Sequence, residues 1–221
     1  GTIFAGKIRI EATQTKPAVA NLKAIDKTQT ISGVVFQVID DNPTTTANEK
    51  KNAKVKTLDN KNSSDVVKVA SMKSQAAASY DVSVEQDKSV MQYNVLNQDG
   101  TTYTAYIEAK TKITAPEDSS SLLAIDTATS ITGLENLDTS KVVNMRSFFN
   151  GVKATSLDIS SLDTSNVTNM AYMFYYTKNL SSIDLSHLNT SKVTDMSGMF
   201  ADTGVTTLDL SNLKTSNVTN M

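Results

Sequence analysis

Apolar positions in the carboxyl-terminal part of the chain repeat at a nearly constant interval. Each copy has Leu, Val, Met and Phe in a fixed order and is marked by a Thr-Ser pair. The threonines of the four copies are Thr139, Thr164, Thr190 and Thr215, at intervals of 25, 26 and 25 residues. Because a unit of this length cannot bury its own apolar side chains, the recurrence predicts a solenoid whose coils stack on one another.

Two patterns within each unit predict its local structure. In the first, polar and apolar residues alternate, which predicts one short strand of a parallel sheet in each unit. These strands are expected at 156–159, 182–185 and 207–210. In the second, apolar residues stand three and four apart, as at Val167, Met170 and Met173, which predicts helical or 3₁₀ turns. The Thr, Ser and Asn positions between them are expected to hydrogen-bond to the backbone at the turns.

The units resemble a known family of repeats. LDTSKVVNMRSFF, LDTSNVTNMAYMF, LNTSKVTDMSGMF and LKTSNVTNM are similar to the BspA-type leucine-rich repeats of bacterial surface proteins, which read approximately LDLSxFDTSxVTNMxxMF. The resemblance covers 131–221, and 113–130 is similar to the segment that leads into such arrays. It implies an extracellular or cell-surface adhesion protein that binds a host or matrix protein through its leucine-rich-repeat array.

Residues 1–112 lack this period and form a separate β-rich domain in our interpretation. Seven stretches rich in β-branched and aromatic residues are separated by turn-forming clusters, which favours a β-sandwich. The pair around Asn97 and Gly100 is the clearest hairpin, whereas 17–25 and 66–78 are candidate helices. The predicted fold is therefore mainly β with short helical turns, and the amino-terminal domain is expected to pack against the first coil near Ile131 and Leu134.

Composition narrows the classes of function. The net charge of −2 argues against a nucleic-acid partner, and the absence of Cys excludes thiolate chemistry. No apolar run is long enough to insert into a membrane. The serines lie in repeated Thr-Ser and Leu-Ser units and not in a nucleophile elbow. We therefore expect a binding protein with no enzymatic activity, no catalytic residues, no cofactor and no metal.

Three tyrosines are the first candidate for a binding site. Tyr172, Tyr175 and Tyr176 lie in one unit, whereas the next unit has Gly198, Ala201 and Asp202 at the corresponding places. Residues that break a repeat are free to serve recognition, and tyrosines make rigid, amphipathic contacts. Packing against the amino-terminal domain is the other explanation of this cluster.

A column of carboxylates is the second candidate. Asp158, Asp184 and Asp209 occupy equivalent positions that stacking would bring close together, where they could bind a partner or a hard cation. Solvated aspartates without a ligand explain the column more simply. His187, the only histidine, stands where other units have Ser161 and Asn212 and is expected in an exposed loop.

The sequence leaves the partner open. A host or matrix protein is the first expectation, and a carbohydrate, bound by a groove that the tyrosines would line, is the alternative. The last unit stops at Met221, before the Met-Phe pair that follows in earlier units. We therefore expect the natural protein to continue, and the open last coil to favour self-association.

Overall fold

The computed structural model describes residues 20–40, 57–59, 73–86 and 89–221. The protein is mainly β with very little helix, as predicted. The strands are β1 (Ile31–Asp40), β2 (Thr57–Asp59), β3 (Ala76–Asp81), β4 (Val90–Leu96), β5 (Tyr103–Ala109), β6 (Ile113–Thr114), β7 (Ser130–Thr132) and β8 (Leu137–Asp138). A 3₁₀ turn spans Leu134–Asn136, and residues 73–75 are helical. No helix in the described ranges is long and apolar enough to cross a membrane.

Strand β1 organises the amino-terminal sheet. It pairs in parallel with β5 along most of its length, and β4 follows antiparallel to both β5 and β3. Strands β7 and β2 also pair in parallel with β1, at Gly33–Val35 and Val38–Asp40. The strand's apolar side chains Val34, Phe36 and Val38 are all buried, which explains its central position.

The predicted hairpin is confirmed. Strands β4 and β5 pair from Val90 opposite Ala109 to Leu96 opposite Tyr103. Gly100 donates its N–H to the carbonyl of Asn97 at 3.0 Å and has a φ of 70°. Asp99 accepts hydrogen bonds from the N–H groups of Thr101 and Thr102. Hydrogen bonds from Thr102 and Thr101 lower the pKa of Asp99 to about 2, because they stabilise the charged carboxylate.

The amino-terminal region differs from the sandwich that the sequence predicted. Its described strands lie in one mixed sheet, and β6 and β8 form a separate two-stranded sheet. The candidate helix at 17–25 is wrong over 20–25, where Asn21 and Leu22 form β-bridges. Ala76–Ala78, the end of the second candidate helix, begins β3. The expected strands at 3–12 and 65–70 lie outside the described residues.

The sheet packs directly against the start of the repeats, as predicted. Ile131 of β7 pairs with Val34 of β1, and the Asn136 amide donates to the carbonyl of Phe36 at 3.0 Å. Gly133, with a φ of 77°, lies so close that a Cβ there would stand 2.0 Å from the Phe36 carbonyl oxygen. Only glycine fits both this conformation and this contact.

The repeats contact one another through their backbones. We number them by the residue that opens each one: 134–158, 159–184, 185–209 and 210–221. Parallel bridges link Asn144 to Asn169, Asn169 to Asp195, and Asp195 to Asn220. These bridges lie at the last residue of each Val-x-Asn or Val-x-Asp segment, whereas the predicted strands at 156–159, 182–185 and 207–210 are not formed. The strand positions were therefore wrong, although the parallel pairing of equivalent residues was expected.

The predicted strands do not form because the chain makes a tight turn, which we call a corner, at the end of each segment. The carboxylate of Asp158 accepts a hydrogen bond from the N–H of Ser160 at 3.1 Å, which closes a turn two residues further on. Ile159 and Leu185 are nevertheless buried. The alternation of polar and apolar residues thus reports burial on one side of a turning segment, and not a strand.

Single turns take the place of longer helical segments. The N–H of Phe148 donates to the carbonyl of Met145 at 3.1 Å, but Ser147 between them has a φ of 57°. Tyr172 and Gly198 have nearly the same φ at the equivalent positions. Because a right-handed helix cannot continue through a left-handed residue, the helical conformation is limited to a single turn in each repeat.

Aromatic and hydroxyl side chains hold neighbouring repeats together. Phe149 and Phe174 stack with ring centroids 5.7 Å apart, and Phe174 stacks in the same way on Phe200. The buried hydroxyl of Thr164 donates to the carbonyl of Asn189 at 3.1 Å and accepts from its N–H at 2.8 Å. The equivalent threonines Thr139 and Thr190 make the same pair of bonds to the next repeat. The predicted structural role of the threonine positions is therefore confirmed.

Candidate binding surface

The aspartate column consists of turn-capping residues. The Oδ1 atoms of Asp158, Asp184 and Asp209 accept the N–H groups of the serines two residues later, at 3.1, 2.9 and 2.9 Å. Two more positions in each repeat cap corners in the same way. The residues at these positions are Asp138, Asp163 and Asn189, and Asp118, Asn144, Asn169 and Asp195. Each complete repeat therefore turns at three capped corners.

These hydrogen bonds also set the acidity of the column. Bonds from the side chain and N–H of the following serine lower the pKa of Asp158, Asp184 and Asp209. A smaller opposing effect is mutual repulsion, since Asp184 raises the pKa of both Asp158 and Asp209. The carboxylates are thus near one another, exposed and charged.

The aspartate column was also a candidate for binding a cation. Among the described residues, no group of three or more His, Asp or Glu side chains is arranged to hold a metal ion. His187 is exposed, as predicted. Because one oxygen of each carboxylate already accepts bonds from its own turn, the geometry favours the simpler explanation of the column.

The three tyrosines form one cluster on the second repeat. The rings of Tyr172 and Tyr175 meet edge to face at 5.7 Å, and those of Tyr175 and Tyr176 lie 6.0 Å apart with a tilt of 41°. Tyr176 is 48% exposed, and the other two are partly buried. We call Tyr172, Tyr175 and Tyr176 the tyrosine cluster.

Cations lie against both ends of the tyrosine cluster. The guanidinium carbon of Arg146, from the first repeat, is 4.7 Å from the ring centroid of Tyr172. The ammonium of Lys178 is 4.1 Å from the ring centroid of Tyr176. Such contacts contribute about 0.5–1 kcal/mol each at exposed sites and limit the motion of the rings. Sequence reasoning missed both cations: Arg146 reaches the cluster from another repeat, and Lys178, two residues after Tyr176, was not considered.

Two of the three tyrosines have a left-handed backbone conformation. Tyr172 and Tyr176 have φ values of 58° and 59°, in the left-handed region that disfavours side chains with a Cβ. The position of Tyr176 is held in the first repeat by Gly151, and that of Tyr172 in the third repeat by Gly198. A left-handed conformation costs a non-glycine residue about 1–2 kcal/mol. The two tyrosines therefore stand at positions where glycine would fit the backbone conformation at a lower cost.

Gly198 makes room for the cluster. A Cβ at this position would lie 2.7 Å from Cε1 of Tyr172, so the ring covers the glycine of the next repeat. The sequence shows Gly198 only as a residue that breaks the aromatic pattern. In the structure, it belongs to the same surface as Tyr172, and three repeats contribute to the site.

The comparisons with known proteins concern this part of the chain. Residues 119–221 are similar to a family described as Mycoplasma protein of unknown function, DUF285. The matched range holds the repeats and the tyrosine cluster, and it leaves out strands β1 to β6. No curated protein and no solved structure matches the chain.

Proposed function

We propose that this chain is a non-enzymatic binding module of a bacterial cell surface. Its leucine-rich-repeat solenoid presents the tyrosine cluster to a host or extracellular-matrix protein. In this proposal the repeats are of the BspA type, and the amino-terminal β-rich region covers the first coil. The observation that carries the proposal is the placement of partly exposed tyrosines at left-handed positions.

The contacts between repeats support the solenoid. Equivalent residues are bridged in parallel from Asp118 through Asn144 and Asn169 to Asp195 and Asn220. Equivalent phenylalanines stack with nearly parallel planes. Each repeat thus contacts the repeats before and after it through the same groups, which is how repeat arrays gain their stability.

The tyrosine cluster supports recognition because two of its residues stand at strained backbone positions. Strain at sparsely populated backbone conformations persists where the surrounding structure imposes it, and it concentrates at functional sites. Tyr172 and Tyr176 carry this strain, whereas their counterparts Gly198 and Gly151 adopt the same conformation without a Cβ. Tyrosine and arginine are also the residues that dominate protein interfaces energetically.

The geometry favours a protein partner over a sugar. A sugar stacks on the open face of an aromatic ring. Here Arg146 lies over a face of Tyr172, and Lys178 lies over a face of Tyr176. The edge-to-face contact of Tyr172 with Tyr175 gives the cluster no flat platform. Rigid rings with hydrogen-bonding hydroxyls and nearby cations suit the irregular surface of a protein.

A triple substitution tests this function. Replacing Tyr172→Ser, Tyr175→Asn and Tyr176→Gly gives the second repeat the residues that the first repeat has at 147, 150 and 151. The backbone should accept these residues, because Ser147 and Gly151 have the same left-handed conformation in the first repeat. On an array of matrix proteins, we expect the natural chain to bind at least one of them and the triple variant to bind none of those. The matched control is His187→Ser, an exposed change in the next repeat to the residue found at 161.

The outcome separates the two candidate ligands. Loss of protein binding in the triple variant but not in His187→Ser supports the proposal. Equal binding by the natural chain and the triple variant would refute it. If the natural chain binds only to a glycan array, and the triple variant does not, the tyrosines recognise carbohydrate and the protein partner is wrong.

A further inference from the structure

A cavity of about 530 Å³ lies beside strands β3, β4 and β5 of the amino-terminal sheet. Its described lining residues all lie between 20 and 111, outside the range 119–221 that matches the family. Sites for small molecules have volumes of roughly 300–1,000 Å³, with mostly apolar walls and a few converging polar groups. The cavity thus has the size of a small-molecule site.

A buried carboxylate holds two polar side chains beside this cavity. Gln37 of β1 lies directly opposite Glu108 of β5, and its Nε2 donates to Oε2 of Glu108 at 3.1 Å. The ammonium of Lys73 lies 2.5 Å from Oε1. Glu108 and Gln37 are 9% and 7% exposed. Both oxygens of Glu108 are thus engaged within the chain, which makes Lys73 the better placed of the two charged groups to bind a ligand.

Two contacts hold the ammonium of Lys73 at the cavity. Besides its ion pair with Glu108, it lies 5.3 Å from the ring centroid of Tyr93. An ammonium carries three N–H groups, so Lys73 can keep its bond to Glu108 and still donate to a ligand. Because Glu108 and Tyr93 already limit its motion, little side-chain entropy is lost when a ligand binds.

Stability alone does not explain a charged pair at this place. A buried ion pair is often no more stabilising than well-packed apolar side chains of the same volume. The pair of Lys73 and Glu108 instead adds polar groups to a wall that Met91 and Ala109 make partly apolar. Such a combination is typical of a binding site.

The charge of the cavity indicates the class of ligand. Lys73 and Lys110 are cationic, and Glu108 is the single carboxylate among the described lining residues. The cavity therefore has one net positive charge beside its apolar surface. An anion with an apolar body matches both features.

We propose that this cavity binds a small organic carboxylate, whose charged group accepts hydrogen bonds from Lys73 and whose apolar body packs against Met91 and Ala109. Glu108 and Gln37 are positioning residues that hold the ammonium in place. The proposal depends neither on the tyrosine cluster nor on a protein partner, so its failure would leave the proposed function of the repeats untouched.

Methionine methyl NMR on the full chain tests the proposal, because Met91 lines the cavity whereas Met170 and Met196 lie in the repeats. The probes are hexanoate and phenylacetate, with hexanamide and phenylacetamide as their neutral matches. We expect the Met91 signal to shift saturably with the carboxylates. The amides should bind about tenfold more weakly or worse, because hydrogen bonds to a charged group are the stronger ones. The signals of Met170 and Met196 should not move.

Two variants separate the roles of the charged pair. Lys73→Met keeps a long side chain without its charge and should weaken hexanoate binding to the level of hexanamide. Glu108→Gln still accepts a hydrogen bond but removes the negative charge beside Lys73, so it should bind hexanoate at least as tightly as the natural chain. The matched control is Lys23→Met, which removes an exposed lysine that does not line the cavity and should leave binding unchanged.

Each contrary outcome overturns the proposal. A Met91 signal that none of the four probes moves would show that the cavity takes no such ligand. Equal affinity for hexanoate and hexanamide would show that the cavity does not select an anion. Unchanged hexanoate binding by Lys73→Met would show that Lys73 is not the group that binds it. If Lys73→Met does not fold, the acids and amides still decide on the natural chain, and weaker hexanoate binding by Glu108→Gln contradicts the assigned roles.

Discussion

The paired threonines allow a quantitative test of how the repeats are joined. The Thr164 side chain is only 1% exposed, and its hydroxyl makes both hydrogen bonds to the backbone of Asn189. Thr164→Val keeps the shape of the side chain but removes both bonds. At about 0.5–1.5 kcal/mol for each bond, the free energy of unfolding should fall by about 1–3 kcal/mol.

Thr215→Val is the matched control for this substitution. The same residue type stands at the equivalent position, but it is exposed and has no repeat against it, so the change should stay within about 0.5 kcal/mol. Urea unfolding followed by circular dichroism gives both values. Amide exchange at Asn189 reports the local effect and should accelerate in Thr164→Val. Equal stabilities of the two variants, with exchange at Asn189 unchanged, would show that the threonine bonds do not hold the repeats together.

Three further predictions concern the core, the contact between sheet and repeats, and the corners. Leu185→Ala should lower the free energy of unfolding by about 2–5 kcal/mol in urea titrations, as expected for a buried leucine. Gly133→Ala should lower the melting temperature much more than Gly100→Ala, since both have positive φ but only Gly133 faces a backbone oxygen; similar shifts would contradict this. Ser160→Ala should raise the pKa of Asp158 in NMR titrations. In the natural chain the depressed pKa stabilises the fold above the unfolded-state pKa, and this contribution is lost as the pH falls through the folded-state pKa.

The sequence predicted the repeated contacts but not the backbone that makes them. The intervals between Thr139, Thr164 and Thr190 identify residues that occupy equivalent places, because burial recurs with the repeat. Backbone conformation is less accessible to this reasoning. The alternation of polar and apolar residues at 156–159 indicates that one side of the segment is buried. Both a strand and a capped corner are compatible with that pattern. The corner forms because Asp158 offers its carboxylate to the next turn.

The same limit applies to the candidate site. Tyr172, Tyr175 and Tyr176 were found because they interrupt the repeat, and the structure brings them together. Arg146 was missed because it is distant from the tyrosines in sequence and belongs to another repeat, whereas Lys178 lies two residues after Tyr176 and could have been proposed. A comparison of residues at equivalent positions in adjacent repeats could have suggested Arg146, since stacking places such positions side by side.

Coverage of the array by the amino-terminal sheet has a mechanical consequence. Lys27 and β1 secure the first turn, whereas the later repeats are bridged to one another through Asn169, Asp195 and Asn220. Tension applied through the carboxyl end should therefore release repeats one at a time, from that end towards the sheet. A repeat about 5 Å thick would lengthen to roughly 80–90 Å when its 25 or 26 residues extend. The array would then act as an extensible tether that yields in discrete steps while the secured end keeps its shape.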